Sequence, residues 1–460
     1  MVLRPSVQPP TELKSPQQWA VKPLVQALNH AQESSVPLVV KPVPMILKSF
    51  STLTDPRLDR RKRHLLIDIV VIALCAVVCG ANDWVSIESF GRAKYDWFQE
   101  FLSLPNGIPS HDTFGRVFSL LSPDEFEAGF LRWVSYLRFK TPGEIVAVDG
   151  KTLRRSHDQK NGRSAIHLVS VWAAENALVL GQRKTDAKSN EITAIPELLQ
   201  LLDLSGCIVT IDAMGCQKNI AELIIEKQAD YVLTLKANQG HLFEEVRHFF
   251  LEAETHHFQN ASIQYGETQT KSHGRFEVRR YWITDQISEL HHTALWKNLS
   301  LIGLVESERT IQGETTVERR FFIASLKKDV ALFAKAVRQH WEIEHSVHWV
   351  LDIGFREDES RIRTGHAPEN MAVLRHIALN LLRNDDTPLG IKNKRLKAGW
   401  NTDYLTHILY GELERLHFNR YNCRKFKCDC PGFPPGCSSE KRRSRGRQRL
   451  GIPNNNLITF

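Results

Sequence analysis

Between residues 145 and 235, short β-branched runs alternate with helical stretches, and two of the runs end in aspartate. Strands are expected at 145–148, 165–173, 177–183, 207–211 and 231–235, and helices at 192–202 and 217–228. Such alternation requires a sheet with helices packed on it, so this stretch reads as an α/β unit. Asp149 follows the first run and Asp212 the fourth. Both are therefore expected at strand carboxyl ends, the edge where open α/β sheets gather their ligands. A single aspartate after a strand is usually a turn or cap residue. Two at like positions, each before a small residue and near polar or basic groups, weaken that reading.

The flanking segments read differently. Residues 1–44 hold eight prolines without a period and read as a flexible leader. From 45 to 140 the pattern is helical. The apolar run 65–78 contains Asp68 and is shorter than the ~20 residues a membrane span needs, so it reads as a buried helix. Aromatic residues recur through 83–101. Ser110 offers a cap to the next helix, and Pro123 opens another. A helical domain of this size has room for a helix-turn-helix, although no base-contacting residue can be named. Residues 240–325 break the strand–helix rhythm and read as a β-rich insertion, with strands at 276–283, 301–307 and 315–324. Helices are expected again at 330–350 and 370–383, and a helical end at 386–410.

Charge is unevenly placed. The net charge is +8, but residues 411–460 hold eleven Lys/Arg against four acids, leaving about +1 for the rest. The basic balance hints at a polyanionic partner, yet it describes the tail rather than the body. That tail carries Cys423, Cys428, Cys430 and Cys437 at a spacing unlike standard zinc sites, and it reads as a disordered basic run. Cys75, Cys79, Cys207 and Cys216 read as reduced thiols. With no signal peptide and no membrane span expected, the chain is placed in the cytoplasm.

A third acid should come from a helix crossing the strand ends. The segment HWEIEHSVHWVLD offers Glu342, Glu344 and Asp352, and spacing alone does not choose among them. Three carboxylates converging on one site repel one another unless a cation is present. Oxygen ligands suit Mg²⁺ or Mn²⁺, and two such ions can serve phosphoryl transfer. His340, His345 and His348 lack the i, i+4 pair with an intervening Glu that zinc helices use. They read instead as phosphate contacts or packing beside Glu344.

The segments VDGKTLRRS (148–156), TDAKSNEITAIPELL (185–199), TIDAMGCQ (210–217), YVLTLKANQ (231–239) and HWEIEHSVHWVLDIGFREDESRIR (340–363) together resemble the DDE transposases of bacterial insertion sequences. More closely they resemble the ISAs-type, H-repeat-associated subgroup, over about residues 45–410. The resemblance implies a ribonuclease-H-like catalytic domain at 141–385 with its β-rich insertion at about 240–325, preceded by a helical domain at 45–140. It implies Asp149, Asp212 and Glu344 as the catalytic triad, holding two Mg²⁺ or Mn²⁺ ions. The wider clan has Tyr and Arg ahead of the Glu and Lys seven after it; here Val337, His340 and Leu351 stand at those places. Lys151, Arg154, Arg155, Lys236, His340 and Arg361 are the expected contacts to DNA. The implied activity is binding of terminal inverted repeats, then metal-dependent strand cleavage and strand transfer on double-stranded DNA. A homodimer would pair two ends, with no membrane partner. The alternatives are an inactive or domesticated DNA-binding relic and a host nuclease of the same fold.

Overall fold

In the computed structural model, which describes residues 44–157, 162, 164–185, 191–258, 262–272 and 274–409, helices fill the chain before the first strand. They are α1 (Pro44–Phe50), α2 (Leu66–Val78), α3 (Trp84–Ala93), α4 (Tyr95–Gln99), α5 (His111–Leu120) and α6 (Pro123–Leu137). Three of them start where side chains satisfy the free N–H groups of the first turn. Asp83 accepts from the Ser86 N–H, Ser110 from that of Thr113 and Ser122 from that of Glu125. The aromatic stretch 83–101 divides at Lys94 into α3 and α4.

α2 is apolar on all sides and buried from Asp68 to Val78, as a helix without a polar face must be. Asp68 accepts a hydrogen bond from the Leu104 N–H at 3.0 Å. Burial still pushes its carboxyl up from 3.8 to about 6. A raised acid favours the folded state while both states are protonated, below about pH 4. That contribution is lost as pH rises to about 6, where the unfolded chain ionises and the folded one resists. Asp68→Asn keeps an acceptor for Leu104 and does not titrate. Its stability relative to the parent should therefore rise between pH 4 and 6.5 by up to about 3 kcal/mol. Denaturant melts at both pH values check this, and a pH-independent difference would show that the carboxyl is not strained by burial.

The strands form one nine-stranded mixed sheet, ordered β3-β2-β1-β4-β5-β9-β8-β7-β6. β1 (Ile145–Thr152), β2 (His167–Ala173) and β3 (Leu178–Lys184) make an antiparallel meander. β4 (Ile208–Ile211) runs parallel to β1, and β5 (Asp230–Leu235) parallel to β4. The intervening helices are α7 (Glu191–Leu201) and α8 (Lys218–Glu226). β1 as far as Val148, β4 and β5 are mostly apolar and buried because both faces are covered.

The segment expected as a β-rich insertion begins with a helix, α9 (Gly240–Thr255), and then forms β6 (Ile263–Ser272), β7 (Arg275–Thr284), β8 (Leu301–Ile311) and β9 (Glu314–Ala324). It extends the same sheet, because β9 pairs antiparallel with β5 from Val232↔Ala324 to Leu235↔Phe321.

The helix expected at 330–350 is interrupted. α10 (Val330–His340) ends, a wide π turn spans Glu344–His348, and α11 (Trp349–Phe355) continues. α12 (Ala367–Asn384) is buried along nearly its whole length, packed against α2, α5, α6 and β3. Two buried asparagines fix it. Asn370 donates to the Phe118 and Leu121 carbonyls, and Asn380 pairs with both backbone groups of Val179. From α13 (Ile391–Trp400), Arg395 donates to the Val77 and Ala81 carbonyls. The N-terminal helices and the sheet thus share one continuous core. Cys75, Cys79, Cys207 and Cys216 are free thiols. No helix among the described residues is long and apolar enough to cross a membrane. The expected leader, apart from Pro44, and the tail with its four cysteines lie outside the described residues.

Candidate active site

Strand register brings the two aspartates together. Val148 of β1 is paired with Ile211 of β4, and β4 stops there. Asp149 and Asp212 are the next residues of two adjacent parallel strands. β1 itself runs on to Thr152, paired only with β2, so Asp149 lies within a strand rather than at its end. Burial is the main cause that raises both carboxyls, Asp149 to about 6. Like charge adds to it, since Asp212 and Glu191 both raise Asp149, and Glu191 raises Asp212. Asp212 accepts from the Met214 and Gly215 N–H groups, which hold it against its own turn.

Glu344 enters from the π turn, in which the Trp349 N–H reaches back to the Glu344 carbonyl. Such wide turns inside helices are rare and recur at functional sites. Its carboxylate accepts from His348 Nδ1 at 2.9 Å, and chiefly for that reason its pKa is lowered. The same Nδ1 lies 3.5 Å from Asp149 Oδ2. One donor atom from each of Asp149, Glu344 and His348 lies within 4.8 Å of the others, a grouping able to hold a metal ion.

Two further residues shape the site: Glu191, which the sequence reading does not single out, and His348, which it reads in another role. Glu191, at the start of α7, accepts from His167 Nε2 at 2.7 Å. Gly150 allows this approach, because a Cβ there would stand 2.1 Å from Glu191 Oε1 and 2.5 Å from His167 Nε2. His348 had been read as a phosphate or packing residue, and the structure puts it between the two acids. The nearest signal for Glu191 was its place in the KSNEIT run; for His348 it was its i+4 spacing from Glu344.

The cations expected around the acids fall into two groups. Lys236, Arg155 and Arg361 are exposed, and Lys236 is close enough to lower the Asp212 pKa. Arg154 is exposed but paired with Asp358 at 3.2 Å. Arg361 lines a groove of about 900 Å³ with Arg116, Arg356 and Arg363. Two expectations are corrected. Lys151 is not free to grip a phosphate, because its Nζ is tied to Asp352, Glu357 and the His348 carbonyl. His340 turns inward onto Thr210 Oγ1 of β4, and burial drives its pKa down to about 4, so it is a neutral core imidazole near pH 7. Val337 and Leu351 are buried apolar residues.

A second groove, of about 860 Å³, runs from the β7–β9 strands to His345 and Ser346 beside Glu344. Arg275, Arg279 and Arg309 converge on the single buried acid Glu277. Arg338 adds repulsion to Arg279. Trp341, 42% exposed, stands in the groove with the Arg320 guanidinium 4.5 Å over its ring. One acid shared among three guanidiniums leaves this surface positive.

Residues 140–381 match the family described as Transposase DDE domain, and residues 47–134 match the one described as DDE_Tnp_1-associated. The chain therefore belongs to the DDE transposase family. Within that family it is similar to the H-repeat-associated proteins, as the sequence blocks implied. A protein of Escherichia coli O157:H7 named "Putative transposase YncI" is 43% identical over 375 residues, 80% of this chain and 95% of its own. The "H repeat-associated putative transposase YhhI" of Escherichia coli K12 is 40% identical over 372 residues, 80% of this chain and 98% of its own. A piggyBac transposase chain from a synaptic complex with hairpin DNA aligns over 88% of this chain and 85% of its own, at 11% identity and a TM-score of 0.38.

Proposed function

We propose that the chain is an active insertion-sequence transposase, which binds the terminal inverted repeats of its element and carries out metal-dependent strand cleavage and strand transfer. The observation that carries this reading is the meeting of Asp149 from β1 and Glu344 from the π turn, with Asp212 one residue past the adjacent parallel strand. The order β3-β2-β1-β4-β5, with an antiparallel meander leading into two parallel strands, supports a ribonuclease-H-like sheet. On this reading β6–β9 are an addition to that sheet's edge.

The donor set fits divalent cations. Asp149 is a half-buried acid whose charged neighbours include two more carboxylates, an arrangement that is costly unless a cation offsets it. Asp149, Asp212 and Glu344 would hold two Mg²⁺ or Mn²⁺ ions, which supply Lewis-acid activation of the attacking and leaving oxygens of a phosphodiester. The chain's own residues orient the rest. The basic groove beside Glu344 tracks the DNA backbone, Trp341 offers a face on which a base can stack, and Lys236 and Arg155 meet phosphates near the acids. Pairing two element ends calls for a homodimer.

The test is incubation of the purified full chain with linear DNA carrying the gene's own flanks, with and without Mg²⁺ or Mn²⁺. Metal-dependent cuts at the repeat ends, followed by joining to target DNA, are expected. Binding without cutting would mean a DNA-binding relic. Metal-dependent cutting of RNA–DNA hybrids without regard to ends would mean a host nuclease.

A further inference from the structure

We propose that His348 is a direct metal ligand, making one of the two cation positions a mixed site of two carboxylates and one imidazole. This rests on the two-metal reading above and goes beyond an all-carboxylate triad. Nδ1 of His348 lies 2.9 Å from Glu344 Oε2 and 3.5 Å from Asp149 Oδ2. Adjacent ligands on a six-coordinate ion with bonds of ~2.1 Å lie ~3 Å apart, so these spacings suit neighbouring positions around one cation. The three donors arrive from two elements, a strand and the π turn, with the histidine only 4% exposed. It is thus a fixed ligand rather than a surface imidazole that swings in.

Ring chemistry agrees with this assignment. Ligation through Nδ1 requires the neutral ring with its hydrogen on Nε2. Nε2 is buried without a hydrogen-bond partner among the described residues, so no neighbour on that side holds the ring in the opposite form. Binding at Nδ1 displaces the hydrogen that Glu344 accepts: a protonated ring releases it to solvent and a neutral ring shifts it to Nε2, which frees both Nδ1 and the carboxylate for the ion. Imidazole nitrogen suits transition metals better than Mg²⁺, whereas a purely carboxylate site would serve both alike. The position should therefore prefer Mn²⁺ to Mg²⁺ through His348.

Mn²⁺ alone, added to the full-length protein, is the probe. Electron spin-echo spectroscopy of bound Mn²⁺ reads directly coordinated ¹⁴N, and titration gives the affinity. A ¹⁴N modulation is expected in the parent and should vanish in His348→Gln, with Mn²⁺ affinity falling about tenfold and Mg²⁺ affinity moving less. His348→Asn serves if Gln disturbs folding, and the parent spectrum decides without any variant. Absence of ¹⁴N modulation in the parent, or its persistence in a folded His348 variant, overturns the proposal. If Asp149→Asn still abolishes Mn²⁺ binding in that case, the carboxylate site survives and only the role of His348 falls. If the parent binds no Mn²⁺ at millimolar concentration, the two-metal reading falls, and this one with it.

Discussion

Asp149→Asn is expected to lower DNA cleavage by at least about 10³-fold, about 4 kcal/mol in transition-state stabilisation, while leaving DNA affinity within about twofold. The asparagine keeps the shape and one oxygen but loses the negative charge that holds a divalent ion. Glu344→Gln should act alike, and the pair should be far from additive because both variants remove the same cation. DNA affinity is spared because the groove of Arg275, Arg279, Arg309 and Arg338 is untouched. Gel shift and single-turnover cleavage on the same preparation separate the two effects. A variant that still cuts would remove its residue from the site. A variant that loses binding as well would mean that the carboxylates shape the DNA surface rather than the chemistry.

How much of this site was legible depends on the distance over which each contact is made. The two aspartates were readable because each follows a local β-branched run, and chain-local pattern is what a sequence displays. The first strand's true end was not readable. Residues 149–152 carry no apolar side chain, and they are held in β1 only by pairing with β2. Helix α9 was legible in principle, since Leu242, Val246, Phe250 and Ala253 keep helical spacing. The β-branched and polar runs that follow it dominate the pattern of 240–325 and mask it. β6, with its run of QYGETQTKS, has little apolar alternation and owes its strand form to β7.

The third acid shows the limit most clearly. An uninterrupted α-helix over 330–350 would give every residue a fixed angle, and on that wheel Glu344 merely borders the apolar stripe. The π turn inserts a phase shift at Glu344 itself, and no propensity rule marks it. His340 failed for the complementary reason. A histidine beside a presumed phosphate site reads as a cation, and only the fold shows that it faces Thr210 in the core. The strand register sets Asp149 and Asp212 on adjacent strands, but the imidazole between Asp149 and Glu344 became visible only in three dimensions.

Lys151, the other corrected residue, leads to the second large effect. Glu357 is 3% exposed and lies 3.1 Å from Lys151 Nζ and 3.3 Å from Arg375. Burial alone would raise its pKa, but Lys151 and Arg375 outweigh burial and hold it low. Lys151 stands two residues after Asp149 and also bonds Asp352 and the His348 carbonyl, so this network ties the strand carrying one acid to the turn carrying the other. Glu357→Gln leaves Lys151 with Asp352 as its one carboxylate and Arg375 facing a neutral amide in a dry site. The expected cost is about 3–5 kcal/mol, the usual penalty for an uncompensated buried charge, or roughly 5 °C in Tm for a chain of this size. Replacing the whole buried cluster, Lys151→Met and Arg375→Met with Glu357→Leu, should recover part of the loss, since apolar groups need no partner there. The catalytic consequence separates a lock from a mere strut. If the network positions Glu344 against Asp149, the triple variant should regain stability and still cleave poorly, with DNA affinity unchanged. Recovery of cleavage along with stability would show that packing alone sets the geometry of the acids.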